Sequence, residues 1–363
     1  MIEKDLFYSI FYGLYAFVAF FAIIQSLQIE MKFSNTELKR KANIIISLFI
    51  LSIILLIGFR AYNVGTDTGN YFRAWNRKTD FEFSTDYLYY FIMVGVKNIG
   101  FSYQAFLFIV SVLFFYPIYR VYKKISTLYQ ADFLLSLFAF ASFFFFMSTS
   151  INVARQGLSL VCLLIAYGVF IQKNKKNLTT ILILCFAAIS FHLTAIIPII
   201  LFGLTYFTQR IPLIYFVIIF MIAMLLSYAN FGIKNFSSYL VDILEGDKRV
   251  SYLGTKELDY YQVGFRPQFA AFNTIFLIIF LYINHYIRIK PYNRLLKYYI
   301  LASSLFFMAF QLNFSDRWGL FSWFVIPLLL IPIYQYNSKL NIKPSFFTLF
   351  LIFVFIFFNL LYD

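Results

Sequence analysis

The chain has 363 residues, 62% of them hydrophobic and only 13% charged, and its mean hydropathy is +0.78. A soluble core of this length does not need so much apolar surface, whereas a bilayer takes about 20 apolar residues per helical crossing. The formal charge of +14 does not point to nucleic acid, because the basic residues sit in short clusters between apolar runs, as in cytoplasmic loops of membrane proteins.

In chain order, apolar runs predict crossings at 7–27, 43–59, 102–120, 132–149, 153–172, 178–190, 193–208, 211–229, 267–286, 297–313, 317–335 and 345–361. This describes an all-α polytopic integral membrane protein with roughly 12 transmembrane helices. The first run, Phe7 to Leu27, is too long for a cleavable signal and lacks a basic leader and a small-residue cleavage site. Residues 87–98 are apolar but short, and predict an interfacial or re-entrant helix between Asp86 and Lys97. Residues 178–208 are too long for one helix and short for two. They predict a tight hairpin broken near Ser190, Phe191 and His192. Cys162 and Cys185 fall inside apolar runs, with no metal-ligand spacing and no disulfide framework.

Orientation follows from Lys and Arg. Lys32, Lys39, Arg40 and Lys41 follow the first run; Arg120, Lys123 and Lys124, then Lys173, Lys175 and Lys176, then Arg210, Arg288, Lys290, Arg294 and Lys297, and Lys339 and Lys343 continue on alternate loops. The positive-inside rule places these in the cytoplasm and both termini outside. Two long outer loops result, at 60–101 and 230–266, on a single transmembrane domain covering 1–363 with no internal repeat.

Several polar residues stand out against this apolar background. Gly65 and Gly69 bracket Asp67 in a stretch that can turn sharply and aim the carboxylate at the bundle, or leave it as an exposed turn residue. The stretch is not a P-loop, because no Gly-Lys-Ser/Thr follows. Arg155 sits at a helix start, where it opposes the helix dipole; an anionic partner resolves the conflict, and snorkelling to headgroups is the alternative. His192 lies between two apolar half-helices, where a broken helix frees backbone groups, and reads as a base, a hydrogen-bond donor or a structural residue. Asp316 and Arg317 form an adjacent pair between two runs, either functional or a helix cap. The second long loop carries Arg249, Tyr252 and Arg266 among other charges and tyrosines, a mixture that suits sugar rings and also any exposed loop. The predicted topology puts Arg60, Asp67, Arg155, His192, Arg266, Asp316 and Arg317 on one outer face. Converging arginines with an acid and a His suit a di-anionic group plus proton transfer. No carboxylate cluster is evident, so the sequence predicts no metal and no cofactor.

Arg60 through Tyr71 (Arg, then Val-Gly-Thr-Asp, then Tyr), Ala154-Arg155-Gln156-Gly157, Phe191-His192 and Asp316-Arg317 resemble the EpsG family of bacterial membrane proteins, among the Wzy-like polysaccharide polymerases. The resemblance extends to length and hydropathy along nearly the whole chain. It implies a C-type glycosyltransferase-like fold and a polymerase of O-antigen, capsule or exopolysaccharide. Its substrates would be undecaprenyl-diphosphate-linked repeat units, joined on the outer face of the bacterial inner membrane without a nucleotide sugar. Membrane lipid and a chain-length regulator protein are the implied partners.

In that reading Arg155 and Arg317, with Arg60, clamp the leaving diphosphate; Tyr71, Gln156, Arg249, Tyr252 and Arg266 line the substrate; and Asp67, His192 or Asp316 is the catalytic base. The rival readings are a flippase or transporter of lipid-linked oligosaccharide, a membrane acyltransferase and a non-catalytic scaffold. A transporter predicts charges deep within helices and access from both faces. An acyltransferase predicts an early Arg-His pair, which is missing from this sequence, and a scaffold leaves the one-sided arginines unexplained.

Overall fold

A computed structural model describes residues 1–32, 36–77, 86–172, 177–236 and 263–362. Arg249 and Tyr252 lie outside the described residues. The described regular structure is helical: α1 (Lys4–Glu30), α2 (Thr36–Gly58), α3 (Thr68–Arg77), α4 (Tyr87–Asn98), α5 (Tyr103–Tyr129), α6 (Phe133–Ala141), α7 (Phe145–Ile151), α8 (Ala154–Phe170), α9 (Asn177–Phe191), α10 (Ile196–Phe207) and α11 (Leu213–Tyr228). Beyond the second long loop come α12 (Pro267–Ile287), α13 (Lys290–Met308), α14 (Asp316–Trp323), α15 (Ile326–Gln335), α16 (Asn337–Leu340) and α17 (Pro344–Tyr362).

Every apolar run of the sequence falls on a helix. Among the described residues, α1, α2, α5, α12 and the stretch Asp316–Gln335 are long and apolar enough to cross a membrane. The run at 132–149 is not one straight crossing as expected: α6 and α7 are bent by 68° at Ser142–Phe144. No proline or glycine lies at the break. Around it, Ser142 Oγ donates to the Phe138 carbonyl (2.9 Å) and Thr149 Oγ1 to the Phe145 carbonyl (2.6 Å), side-chain back-bonding of the kind that bends helices. With these helices the chain is a multi-pass membrane protein.

The chain forms two compact units, Met1–Ile197 with Leu330–Asp363, and Pro198–Leu329. In the first unit α2, α5 and α8 pack in series, and α1 lies against α2 and α17. The Tyr15 ring stacks on Phe355 of α17 at 3.5 Å between centroids, and its hydroxyl donates to Ser142 Oγ at 3.0 Å. Lipid is as apolar as the helix faces, so burial alone does little to pull helices together; packing and bonds of this kind do. The Ser111 hydroxyl, for instance, reaches from α5 to the Ile54 carbonyl of α2 at 3.0 Å.

Two ends of this unit can be distinguished. Arg60 follows α2 and Tyr103 begins α5, so both stand at one end; Lys39 near the start of α2 and Gln130 after α5 stand at the other. Ile2 pairs with the backbone around Arg60, donating to the Phe59 carbonyl (2.8 Å) and accepting from Ala61 N–H (2.9 Å). α17 runs antiparallel to α1, with Ser345 Oγ donating to the Glu30 carboxylate at 2.5 Å and Phe355 on Tyr15. Both termini therefore project toward the Arg60 end. α4 does not leave that end: twelve residues reach about 18 Å, too short for a crossing. Lys97 in its last turn donates to the Trp75 carbonyl of α3 at 2.7 Å.

In the second unit, Asn273 of α12 is wholly buried and its Oδ1 collects Tyr299 (3.4 Å), Ser303 (3.1 Å) and Ser322 (3.3 Å), tying α12, α13 and α14 together. Lys297 Nζ donates to the carbonyls of Thr208 (3.0 Å), Gln209 (3.2 Å) and Ile211 (2.7 Å), satisfying the open carbonyls past α10.

Candidate functional site

The loop after α2 is built around Arg60, which is 1% exposed. Its Nη1 donates to the Ile57 carbonyl (2.7 Å), closing the end of α2, and its Nε donates to Thr68 Oγ1 (3.2 Å) at the start of α3. Nη2 is buried without a partner among the described residues. Tyr71, Tyr89 and Tyr103 surround the guanidinium and favour its charge, while burial, the larger effect, lowers its pKa from the ordinary value. Burial likewise pushes the Tyr89 phenol well above its usual range. Arg60 is enclosed, so the geometry gives it the work of shaping the loop rather than that of a donor open to substrate.

Gly65 turns this loop with φ +82°. Its α-carbon faces Ile151 and Asn152 so closely that a Cβ would overlap the Ile151 side chain. Asn152 then secures the loop, its Oδ1 accepting from Thr66 N–H (2.9 Å) and its carbonyl from the Tyr71 hydroxyl (3.2 Å). Tyr71 is thereby buried as a strut. Asp67 precedes α3, is half-buried, and accepts from Asn70 Nδ2 at 3.1 Å on its own helix. The long loop at 60–101 thus holds a helix, α3, besides the one expected at 87–98, and Asp67 sits at the position before it.

The chemistry converges a short way along the same end, on a residue the sequence reading left out. Asp86 takes φ +64° at the cap of α4, a left-handed conformation that Asp tolerates, and makes no cap bond to its own helix. The carboxylate turns instead to α8 and α9. Oδ2 accepts from Arg155 Nη1 at 2.8 Å; Oδ1 accepts from His192 Nδ1 at 3.1 Å and from Leu193 N–H at 3.2 Å. The Asp86 side chain is 1% exposed, that of His192 12% and that of Arg155 31%. Three donors, one of them a guanidinium, offset the cost of burying the carboxylate.

Each element supplies its residue for a local reason. α9 ends at Phe191, and His192 is extended (φ −159°), so the expected break falls there and the imidazole projects between α9 and the next helical turn. Arg155 is in the first turn of α8, which begins without a side-chain cap. The anionic partner that offsets the helix dipole is Asp86. Tyr90 lies under the guanidinium, 5.9 Å from ring centre to Cζ, with its hydroxyl 3.4 Å from Nη1. The Tyr87 hydroxyl and Ser190 Oγ, 2.5 Å apart, pin α4 to α9 beside the histidine. Gln156 is buried in the next position. Gly157 lets α8 approach α7: a Cβ there would overlap the Thr149 carbonyl.

The arrangement has two chemical consequences. A carboxylate only accepts, so Nδ1 of His192 carries the proton facing Asp86, which fixes the tautomer with its lone pair on Nε2. Arg155 spends Nη1 on Asp86 and Tyr90, while Nη2 and Nε make no bond to the described residues, on a side chain nearly a third exposed. Among the described residues no three of His, Cys, Asp and Glu gather as metal ligands.

The remaining predicted residues belong to the second unit. Arg266 caps α12 at its start, half-buried, with Cζ 5.8 Å from the Phe269 ring centre. Asp316 opens α14, and Arg317 stacks on Phe314 at 4.8 Å, where Phe314 has φ +57°. Ser315 stands at the cap position with no side-chain cap bond, so a simple serine cap does not account for the pair. Arg266 and Arg317 both lie at the end where α12 begins and α13 has finished; Gly264 N–H donates to the Phe310 carbonyl there at 2.9 Å.

No curated protein and no solved structure matches this chain. Compared with known families, residues 43–363 match the EpsG family, a span that contains α3, α4, α8 and α9 and every predicted site residue. On that match the chain belongs to the EpsG family, a family of Wzy-like polysaccharide polymerases.

Proposed function

We propose that the protein is a membrane glycosyltransferase that polymerises lipid-diphosphate-linked oligosaccharide repeat units, with His192 as the base and Arg155 as a donor to the leaving diphosphate. The observation that carries the residue assignment is the Asp86–Arg155–His192 cluster: an oriented imidazole beside a guanidinium whose Nη2 and Nε make no bond among the described residues. Family membership supports the reaction class.

In the reaction, an acceptor hydroxyl of one repeat unit attacks the anomeric carbon of the chain held on its lipid carrier. The new glycosidic C–O bond forms as the bond to the diphosphate oxygen breaks. The hydroxyl proton passes to His192 Nε2, and the electron pair leaves with the lipid diphosphate. Negative charge grows on that leaving group, and a fixed guanidinium in a low-dielectric site stabilises it. Asp86 is the positioning residue for both partners. Asp67, bonded within α3, and Asp316 rank behind His192 as base. Arg317, Arg266, Arg249 and Tyr252 keep the substrate-binding role that the family resemblance implies, each by itself and not as part of the Asp86 cluster. The reading also includes a twelve-crossing C-type architecture, an undecaprenyl carrier and a site on the outer face, which the positive-inside pattern supports.

The test is reconstitution. Purified protein is mixed with a short undecaprenyl-diphosphate repeat unit, with EDTA present and no nucleotide sugar, and products are resolved by mass spectrometry. A ladder of added units that falls by about 100-fold or more in Arg155→Ala is expected from loss of transition-state charge stabilisation. No ladder, with movement of the same lipid across liposomes, would replace this reading with a transporter.

A further inference from the structure

The far end of the first unit, at the opposite ends of α2 and α5 from Arg60, holds a cavity of about 560 Å³. Its walls are the last turns of α1 and α5, the start of α2, and the turn into α6. Lys32, Lys39 and Lys123 stand around it, and among its described lining residues the one acid is Asp132. Ser126 is 1% exposed and lines the cavity, and its Oγ is buried with no partner among the described residues. A buried hydroxyl without a bond is costly, at roughly 1–3 kcal/mol, so an occupant that supplies an acceptor or donor is favoured there. Asp132 is held in place: Oδ1 accepts from Leu135 N–H (3.0 Å) and Oδ2 from Gln25 Nε2 (2.7 Å). Three ammonium groups against one carboxylate leave the field around the cavity positive.

The helices that form the cavity carry apolar residues on their outward faces within a turn or two of it: Leu27, Met31, Ile44, Leu48 and Leu128 are all exposed. A ligand seated here meets ammonium groups and a hydroxyl at one end and hydrocarbon-facing surface beside it. Basic pockets between membrane helices are known places for phosphate headgroups.

We propose that this cavity binds the phosphate headgroup of an anionic lipid, with Lys32, Lys39 and Lys123 as its counter-charges and the Ser126 hydroxyl as a donor. It stands some 34 Å along α2 from the Arg60 loop, taking about 1.5 Å per residue, so it is a separate site. It does not rest on the polymerase reading.

The experiment is native mass spectrometry of the full-length protein in detergent, titrated with phosphatidylglycerol. Phosphatidylcholine serves as the neutral lipid, and glycerol 3-phosphate as the soluble phosphate. The expected result is a saturable phosphatidylglycerol adduct that phosphatidylcholine does not form. Its affinity should fall about fivefold for each of Lys32→Gln, Lys39→Gln and Lys123→Gln. Arg288→Gln with Lys290→Gln, on basic loops of the second unit, should leave it unchanged. Asp132→Asn retains a capping side chain, removes the one acid and should tighten binding, a gain that misfolding cannot produce. Equal losses in the Arg288 and Lys290 control would overturn the proposal, since the effect would then be general surface charge. Equal binding of glycerol 3-phosphate with the same lysine dependence would overturn the lipid assignment in favour of a soluble phosphate ester.

Discussion

Replacing Asp86 with asparagine tests the centre of the proposed mechanism. The native carboxylate accepts on both oxygens, from Arg155 on one side and from His192 and Leu193 on the other. An amide has one acceptor and one donor, so either orientation fails. With its oxygen toward His192, its NH2 meets Arg155 Nη1 donor to donor and the ion pair is gone. With its oxygen toward Arg155, its NH2 faces Leu193 N–H and forces His192 to present a bare Nδ1, which moves the proton to Nε2 and removes the base. Breaking a fully buried pair from one side costs about 3–5 kcal/mol, and with Arg155 31% exposed the loss here should be nearer 2–3 kcal/mol. A thermal melt in detergent measures that part. In a single-turnover polymerisation assay, below the melting temperature, the rate should fall about 10²–10⁴-fold, the range attributed to a positioned base. Because Asp86 and His192 act as a unit, adding His192→Ala to Asp86→Asn should cost little more than either alone. Independent, multiplying losses would refute the coupling, and a folded Asp86→Asn protein with more than about a third of the wild-type rate would refute the role itself.

Gly65→Ala should destabilise by about 2–4 kcal/mol, through its positive φ and the overlap with Ile151, whereas Gly69→Ala, with its nearest foreign atom at 3.7 Å, should be nearly neutral; melting temperatures in one detergent compare the two. Gly157→Ala should separate α8 from α7 and lower both stability and polymerisation, while Gly95→Ala, whose added methyl meets nothing within 4 Å, should raise stability by about 0.5–1 kcal/mol. Lys297→Met should cost about 2–3 kcal/mol by leaving the Thr208, Gln209 and Ile211 carbonyls without their cation, read as a lower melting temperature.

The apolar runs located the helices well, because an uninterrupted stretch of Phe, Leu and Ile has few alternatives in a bilayer. The break at His192 was legible for a simpler reason: 178–208 had the wrong length for one helix or two. The α6/α7 bend was not legible, since its break lies in Phe and Ser rather than at proline or glycine. α3 was missed because its composition is polar, although Tyr71 and Trp75, four apart and both buried, form the one-sided stripe that marks a short amphipathic helix. Arg155 and His192 were singled out from their places in the pattern. Asp86 was not: it lies 69 residues from one partner and 106 from the other, and nothing near it in sequence shows that its backbone turns left-handed to face them. Arg60 stands out in the sequence as a charge beside an apolar run, and its burial, which makes it a builder of the loop, depends on Thr68, Tyr71, Tyr89 and Tyr103 closing around it, which no local pattern shows.

The pairing of Ile2 with Phe59 and Ala61 gives this end of the protein an order of assembly. A ribosome delivers the chain from its first residue, so Ile2 and α1 are already in place when the backbone around Arg60 emerges and has somewhere to dock. The next tether, Asn152, arrives 86 residues after Thr66, and His192 arrives 106 residues after Asp86. At about 5–20 residues per second, the Asp86 carboxylate waits on the order of 5–20 s for its imidazole. Arg155 reaches Asp86 first, 69 residues after it, so the ion pair precedes the imidazole. A chain stalled before residue 192 would hold the loop in shape and still lack the proposed proton acceptor, so at this end the scaffold around Arg60 precedes the proposed chemistry.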